Sequence, residues 1–174
     1  CQMNVHDLDT PYLLVDLDGL EDNLDRYQAY FDTHGIGLRP HIKTHKCLAI
    51  AHMQMARGAM GITCQKLGEA EVMVNGGIDQ DMLIPFNIIG EQKLRRLVAL
   101  TKRTNLTVAA DSEITLQGIS AATSKAGVEV GVIIELDVGG RAGAETPERG
   151  AELGALAHSL PGIQLKGVMA MPTP

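Results

Sequence analysis

The sequence contains no tryptophan, three tyrosines and two phenylalanines, so aromatic residues make up only 3% of its 174 positions. Surfaces that stack nucleobases interleave aromatics with cations, and the charge here runs the other way: 15 Lys and Arg against 21 Asp and Glu, for a net −6. Nucleic acid is therefore not an expected partner. No apolar run approaches the ~20 residues a helix needs to cross a bilayer. The N-terminus, CQMNVHDLDT, has no basic segment leading into an apolar one, so neither a membrane span nor a secretory signal is expected. Its first residue is Cys rather than Met, which fits the removal of an upstream segment. The three cysteines, Cys1, Cys47 and Cys64, show neither CxxC nor Cys/His metal spacing, and their odd number fits a reducing, cytoplasmic location better than a disulfide framework. No GxGxxG follows an early strand, so the dinucleotide-binding signature is missing.

What is present is a repeated unit: a short apolar run, an amphipathic stretch of ~10 to 15 residues, a glycine, and another apolar run. Strands are predicted at 12–16, 38–43, 61–64, 82–85, 106–110, 130–137 and 165–170. Helices are predicted at 20–33, 47–57, 68–75, 91–103, 113–125 and 147–159. Gly35, Gly58, Gly76 and Gly127 fall where a helix ends on a left-handed residue, and Thr146 followed by Pro147 reads as an N-cap and first helical residue.

Strands alternating with helices imply an α/β fold with parallel pairing, either a doubly wound open sheet or a (β/α)8 TIM-type barrel. Polar residues recur just after the predicted strand ends (His41, Lys43, Cys64, Gln65, Asp111, Asp137, Arg141), where a barrel gathers its active site, and this favours the barrel. A complete barrel takes ~250 residues. Residues 1–174 are accordingly expected to form one barrel domain, incomplete at its C-terminus, with no second domain boundary inside them.

The densest chemical cluster is RPHIKTHK, residues 39–46. On a persisting strand Arg39, His41, Lys43 and His45 would share one face, putting a partly desolvated lysine among cations, its amine available to attack a carbonyl. Two other readings stand beside this one: a solvated basic rim, and metal binding by His41 and His45. The strand, however, lacks the i, i+4 geometry of helical zinc ligands. Cys64 reads as a small packing residue, and Lys66, Glu69 and Glu71 as solvent-facing helix charges. In IIELDVGGRAG, residues 133–143, glycines open the backbone to a ligand and Arg141 can bind an oxyanion or carboxylate.

RPHIKTHK, together with GITCQKLGEAEVM (61–73) and DTPYLLVDLDGLEDNL (9–24), resembles the D-threonine aldolase and D-serine dehydratase group of the alanine-racemase-like pyridoxal 5'-phosphate (PLP) enzymes. The resemblance runs from residue 9 to about residue 169. It implies a barrel followed by a β-rich domain downstream, a small amino-acid substrate, and a homodimer. It implies that Lys43 is the Schiff-base lysine and first base, with His41 and His45 as relays. Arg39 and His41 would lie beneath or beside the cofactor ring, Thr63, Cys64 and Gln65 would border it, and Arg141 would approach its phenolic oxygen or the substrate from a loop one residue shorter than usual. A divalent metal, if the reaction uses one, would be held by residues outside this chain. After LKGVMA the group carries a Tyr and then a His, and this sequence has Met171, Pro172, Thr173 and Pro174 instead. The expected activity is a D-threonine aldolase-like lyase cleaving a D-β-hydroxy amino acid. Alternatives are a racemase or D-serine dehydratase on the same barrel, a non-catalytic PLP-binding protein, and an aldolase using Lys43 without PLP.

Overall fold

A computed structural model describes residues 4–139 and 142–172. After a single 3-10 turn at Val5–Asp7, the chain runs through α1 (Leu17–Thr33), α2 (Leu48–Ala56), β1 (Gly61–Thr63), α3 (Leu67–Asn75), β2 (Asp81–Ile84), α4 (Glu91–Thr101), β3 (Asn105–Ala110), α5 (Glu113–Lys125), β4 (Val130–Leu136), α6 (Pro147–Ser159) and β5 (Ile163–Ala170). All six predicted helices form. α1 starts three residues earlier than predicted because Asp16 is its N-cap, accepting from Gly19 N, with Asp18 in the electropositive first turn. At α6, Thr146 Oγ1 accepts from Arg149 N at 3.1 Å and Pro147 is the first helical residue, as predicted.

The glycine after α3 corrects one expectation. Gly76 has φ −86°, and the left-handed residue is Gly77 at +88°. Gly76 is needed for another reason: a Cβ there would lie 2.3 Å from Leu48 Cδ2, so its bare backbone lets α2 and α3 approach.

The five strands pair in the order β1-β2-β3-β4-β5, all parallel. A doubly wound sheet reverses its strand order at a switch point and places helices on both faces. Here the order never reverses, so crossovers of one hand carry α3, α4, α5 and α6 to the same face, as in a barrel wall. On that face Ile62, Met82, Ile84, Leu106, Val108, Val132 and Ile134 are at most 2% exposed and pack with Met73, Leu97, Leu116, Ile119 and Leu153 of the helices. Each such side chain contributes roughly 1.5–3 kcal/mol by leaving water. Residues between them in sequence face the other way, and that inner face is mixed: Thr63, Thr107 and Glu135 are buried there beside Leu83 and Ala109, with Arg39 and Asp81 half-buried.

Two predicted strands do not form as such. Residues 12–16 pair with no described strand, and Leu13 is 94% exposed. Apolar content alone cannot make a strand without a neighbour to take its backbone hydrogen bonds. Residues 38–42 run beside β1 through Met60 N to Leu38 O (2.9 Å), Thr63 N to Pro40 O (2.8 Å) and Ile42 N to Thr63 O (2.9 Å). Pro40 has no N–H to give to the ladder, and only a His41–Thr63 bridge is left. β5 starts two residues earlier than predicted. Its pairing with β4 shifts register between Val132 and Ile133, leaving Lys166 as the extra residue of a bulge.

Candidate functional site

The RPHIKTHK segment begins extended and then turns. Lys46 N donates to Ile42 O at 2.8 Å, and Lys46 takes φ +48°. The predicted alternation therefore stops at Ile42, which is fully buried in the core. Lys43 and Thr44 are exposed and His45 is half-buried. The turn intervenes because the parallel pairing with β1 ends at Thr63, and beyond it the backbone must satisfy its own groups.

Lys43 reaches a cavity of about 230 Å³ at the C-terminal ends of the strands, lined also by His41, Thr63 and Glu135 and by Leu83, Pro85, Phe86, Met169, Ala170 and Met171. Its amine makes no hydrogen bond or ion pair with a described residue, and its exposure means that these residues do not desolvate it as expected. His41 Nδ1 accepts the Lys43 N–H at 3.2 Å, while its Nε2 is buried without a partner. Burial, reinforced by the Lys43 charge, holds His41 below the ordinary histidine range, against opposing contributions from Glu69, Gln65 and Thr63. His45, also lowered by burial, lies outside this cavity, its Nδ1 accepting from Cys47 N at 3.0 Å.

The other expected site residues are dispersed. Thr63 lines the Lys43 cavity. Arg39 does not: its guanidinium is 2.7 Å from Asp81 Oδ2, and the pair lines a second cavity of about 230 Å³ with Asn105, Thr107 and Lys166. Arg39 lies two positions before His41 along the extended segment, which puts it one layer lower on the inner face. Gln65 borders a different hollow with Lys66, Asn87 and Arg96, and its Oε1 is buried and unbonded. Arg141 lies outside the described residues. Cys64 is fully buried, and burial together with the Glu69 charge pushes its thiol up to about 12, so it packs rather than reacts.

Glu69 and Glu71 are not the solvent-facing charges expected of them. Glu71 binds Arg96 through two hydrogen bonds, 2.8 and 2.6 Å. Glu69 is 8% exposed, with Lys46 Nζ at 2.8 Å from one oxygen and Gln65 N at 2.7 Å from the other. Burial alone would raise its carboxyl, but hydrogen bonds from Lys46 and Gln65, with the Lys46 and Lys66 charges, bring it below its usual value. The sequence did carry a signal: Glu69 is the third residue of a helix whose first flanking residue, Lys66, cannot cap it, and a glutamate there reaches back to preceding N–H groups. Glu135 was also missed, although a carboxylate inside the apolar run VGVIIEL is itself conspicuous.

A cavity of about 700 Å³ lies on the outer surface between α4 and α5 around Leu94, Val98, Ala121 and Ala122, away from this chemistry. Among the described residues no group of three His, Cys, Asp or Glu side chains could hold a metal ion, and no helix is long and apolar enough to cross a membrane.

Residues 15–173 match the family described as alanine racemase, N-terminal domain. The chain is 41% identical over 164 residues to a D-threonine aldolase of Arthrobacter sp., covering 94% of this chain and 43% of the aldolase. It is 36% identical over 171 residues to a 3-hydroxy-D-aspartate aldolase of Paracoccus denitrificans, covering 97% and 44%. The crystal structure of D-threonine aldolase from Filomicrobium marinum superposes with a TM-score of 0.91 at 39% identity, covering 94% of this chain and 44% of that one. The chain thus spans less than half the length of these relatives, and the parallel sheet with its helices corresponds to part of a TIM-like barrel.

Proposed function

The chain belongs to the alanine racemase N-terminal domain family, and from this we propose that the intact protein is a PLP-dependent lyase that cleaves a D-β-hydroxy amino acid, with Lys43 carrying the cofactor. The names of the aldolase relatives support a lyase over a racemase. The observation that carries the assignment is the contrast between two lysines of one turn. Lys43 has an unengaged amine at the cavity, whereas Lys46 is ion-paired to Glu69.

The residues present fit the cofactor. Leu83, Pro85, Phe86 and Met169 offer apolar walls to a planar ring, and His41, Thr63 and Glu135 supply polar side chains beside them. When bound, PLP supplies an electron sink for the pair released at Cα. The chain's own residues hold and move the protons. Because His41 Nδ1 accepts the Lys43 N–H, the ring proton of the neutral imidazole sits on Nε2, and His41 serves as a proton donor. Lys43 serves as the base. Thr63 and Glu135 orient polar groups, and Met171 lines the cavity where the related group carries a Tyr. Arg39 acts at one remove, through its pair with Asp81 beneath the cavity. His45 as a relay, and Gln65 and Arg141 as cofactor or substrate contacts, rest on the family resemblance. So do a divalent metal held beyond this chain, the homodimer and the cytoplasmic location.

The test is the visible spectrum of the intact protein before and after borohydride, beside Lys43→Ala. A yellow band that borohydride fixes on the peptide containing Lys43 is expected, together with release of an aldehyde from D-β-hydroxy amino acids. A band fixed at Lys46 or Lys66, or no band with excess PLP, overturns the assignment.

A further inference from the structure

RPHIKTHK presents two lysines three residues apart on one short turn, and nothing in their side-chain chemistry distinguishes them. Their surroundings do. Lys46 sits in the left-handed region at φ +48°, which lysine rarely adopts, and two bonds hold it there: its N–H to Ile42 O at 2.8 Å and its Nζ to Glu69 Oε1 at 2.8 Å. The other Glu69 oxygen takes the Gln65 N–H at 2.7 Å. One buried carboxylate thus joins the turn that carries Lys43 to the loop that leaves β1. An ionised carboxylate is tolerated at 8% exposure only when its oxygens are bonded in this way.

We propose that Glu69 is a positioning residue of this site: by gripping the Lys46 ammonium and the Gln65 N–H together, it locks the turn so that Lys43, and not Lys46, presents its amine to the cavity. This deepens the reading of Lys43 as the cofactor lysine and rests on it. The selection between the two amines, however, is a property of the chain that can be read without cofactor.

The experiment is trace acetylation of the intact, cofactor-free protein with acetic anhydride, followed by peptide mapping of Lys43 and Lys46. In the parent protein Lys43 should react about fivefold faster than Lys46, the upper end expected of an ion pair whose lysine side chain is 56% exposed. In Glu69→Gln the two rates should come within about 1.5-fold, and Glu69→Asp should restore part of the preference. Equal rates in the parent, or an unchanged ratio in a Glu69→Gln protein whose circular dichroism is native, would overturn the proposal. Should Glu69→Gln not fold, Lys46→Met releases the turn from its other side. Trapping of PLP at Lys43 by borohydride should then slow by up to about fivefold, and an unchanged rate counts against the clamp. Selective acetylation of Lys43 in a protein that shows no PLP band would sink the cofactor reading and leave the clamp standing. A PLP band fixed on Lys43 with Lys46 unprotected would do the reverse.

Discussion

His41 and His45 make the same hydrogen bond four residues apart: each Nδ1 accepts the backbone N–H of the residue two positions on, Lys43 at 3.2 Å and Cys47 at 3.0 Å. Each ring therefore carries its proton on Nε2, and both Nε2 atoms are buried without a partner. Protonating either ring would cost the bond at Nδ1 and add a poorly solvated charge.

That relationship sets an acid limit on stability. Burial lowers the pKa of both histidines in the folded chain from 6.5, so the unfolded state binds more protons as pH falls. Their contribution is complete above about pH 6.5 and is lost as pH drops through the lowered folded values. Glu69 and Glu71, lowered from 4.5, contribute above that value and lose their share below it. Thermal melts should show Tm level from pH 8 to 7 and falling by pH 5, less steeply in His45→Gln. A Tm unchanged down to pH 5 would contradict this.

Cys64 should resist alkylation. Its thiol is fully buried and pushed up to about 12, so at pH 8 almost none is thiolate. Peptide mapping after iodoacetamide treatment should find Cys64 unmodified in the native protein and modified in urea, with half-buried Cys47 reacting ahead of it. Native labelling of Cys64 at the rate of Cys47 would mean that β1 opens readily.

Gly61→Ala should be severe. A Cβ at Gly61 would lie 2.0 Å from the Asp81 carbonyl oxygen, and Gly61 pairs directly with Asp81 in the sheet. The neighbour in the way is backbone, which cannot rotate aside, so a loss of about 3 kcal/mol is expected. It should appear as a lower urea midpoint with an unchanged slope, whereas a loss under about 1 kcal/mol would show that β1 can shift without cost.

Two substitutions in α6 separate core from cap. Leu153→Ala removes a fully buried side chain and should cost roughly 2–5 kcal/mol. Thr146→Ala removes the acceptor for Arg149 N and should cost about 1 kcal/mol. Equal losses in urea titrations would mean that α6 is held by its end rather than by its face.

The helices were legible because each carries its own instructions: Thr146 and Pro147 mark the start of α6 wherever it packs. Residues 12–16 and 38–43 were harder, because a strand exists only through its neighbour and no local pattern names one. The reactive segment was legible as chemistry and, through family resemblance, as a role. Its geometry was not, since alternation along 39–45 ends where the pairing with Thr63 ends. Glu69 escaped for the same reason in reverse. Its helical position looked exposed, and its burial depends on Lys46, 23 residues earlier.

The unreversed strand order also bears on how the chain is made. Each strand from β2 to β5 pairs with the one synthesised just before it, and only a single helix intervenes. A chain leaving the ribosome can therefore extend the sheet at one edge as each βα unit emerges, and loop closures stay short. In vectorial synthesis the turn bearing Lys43 would be anchored early, against β1, well before the strands that supply Glu135 and Met169 to its cavity.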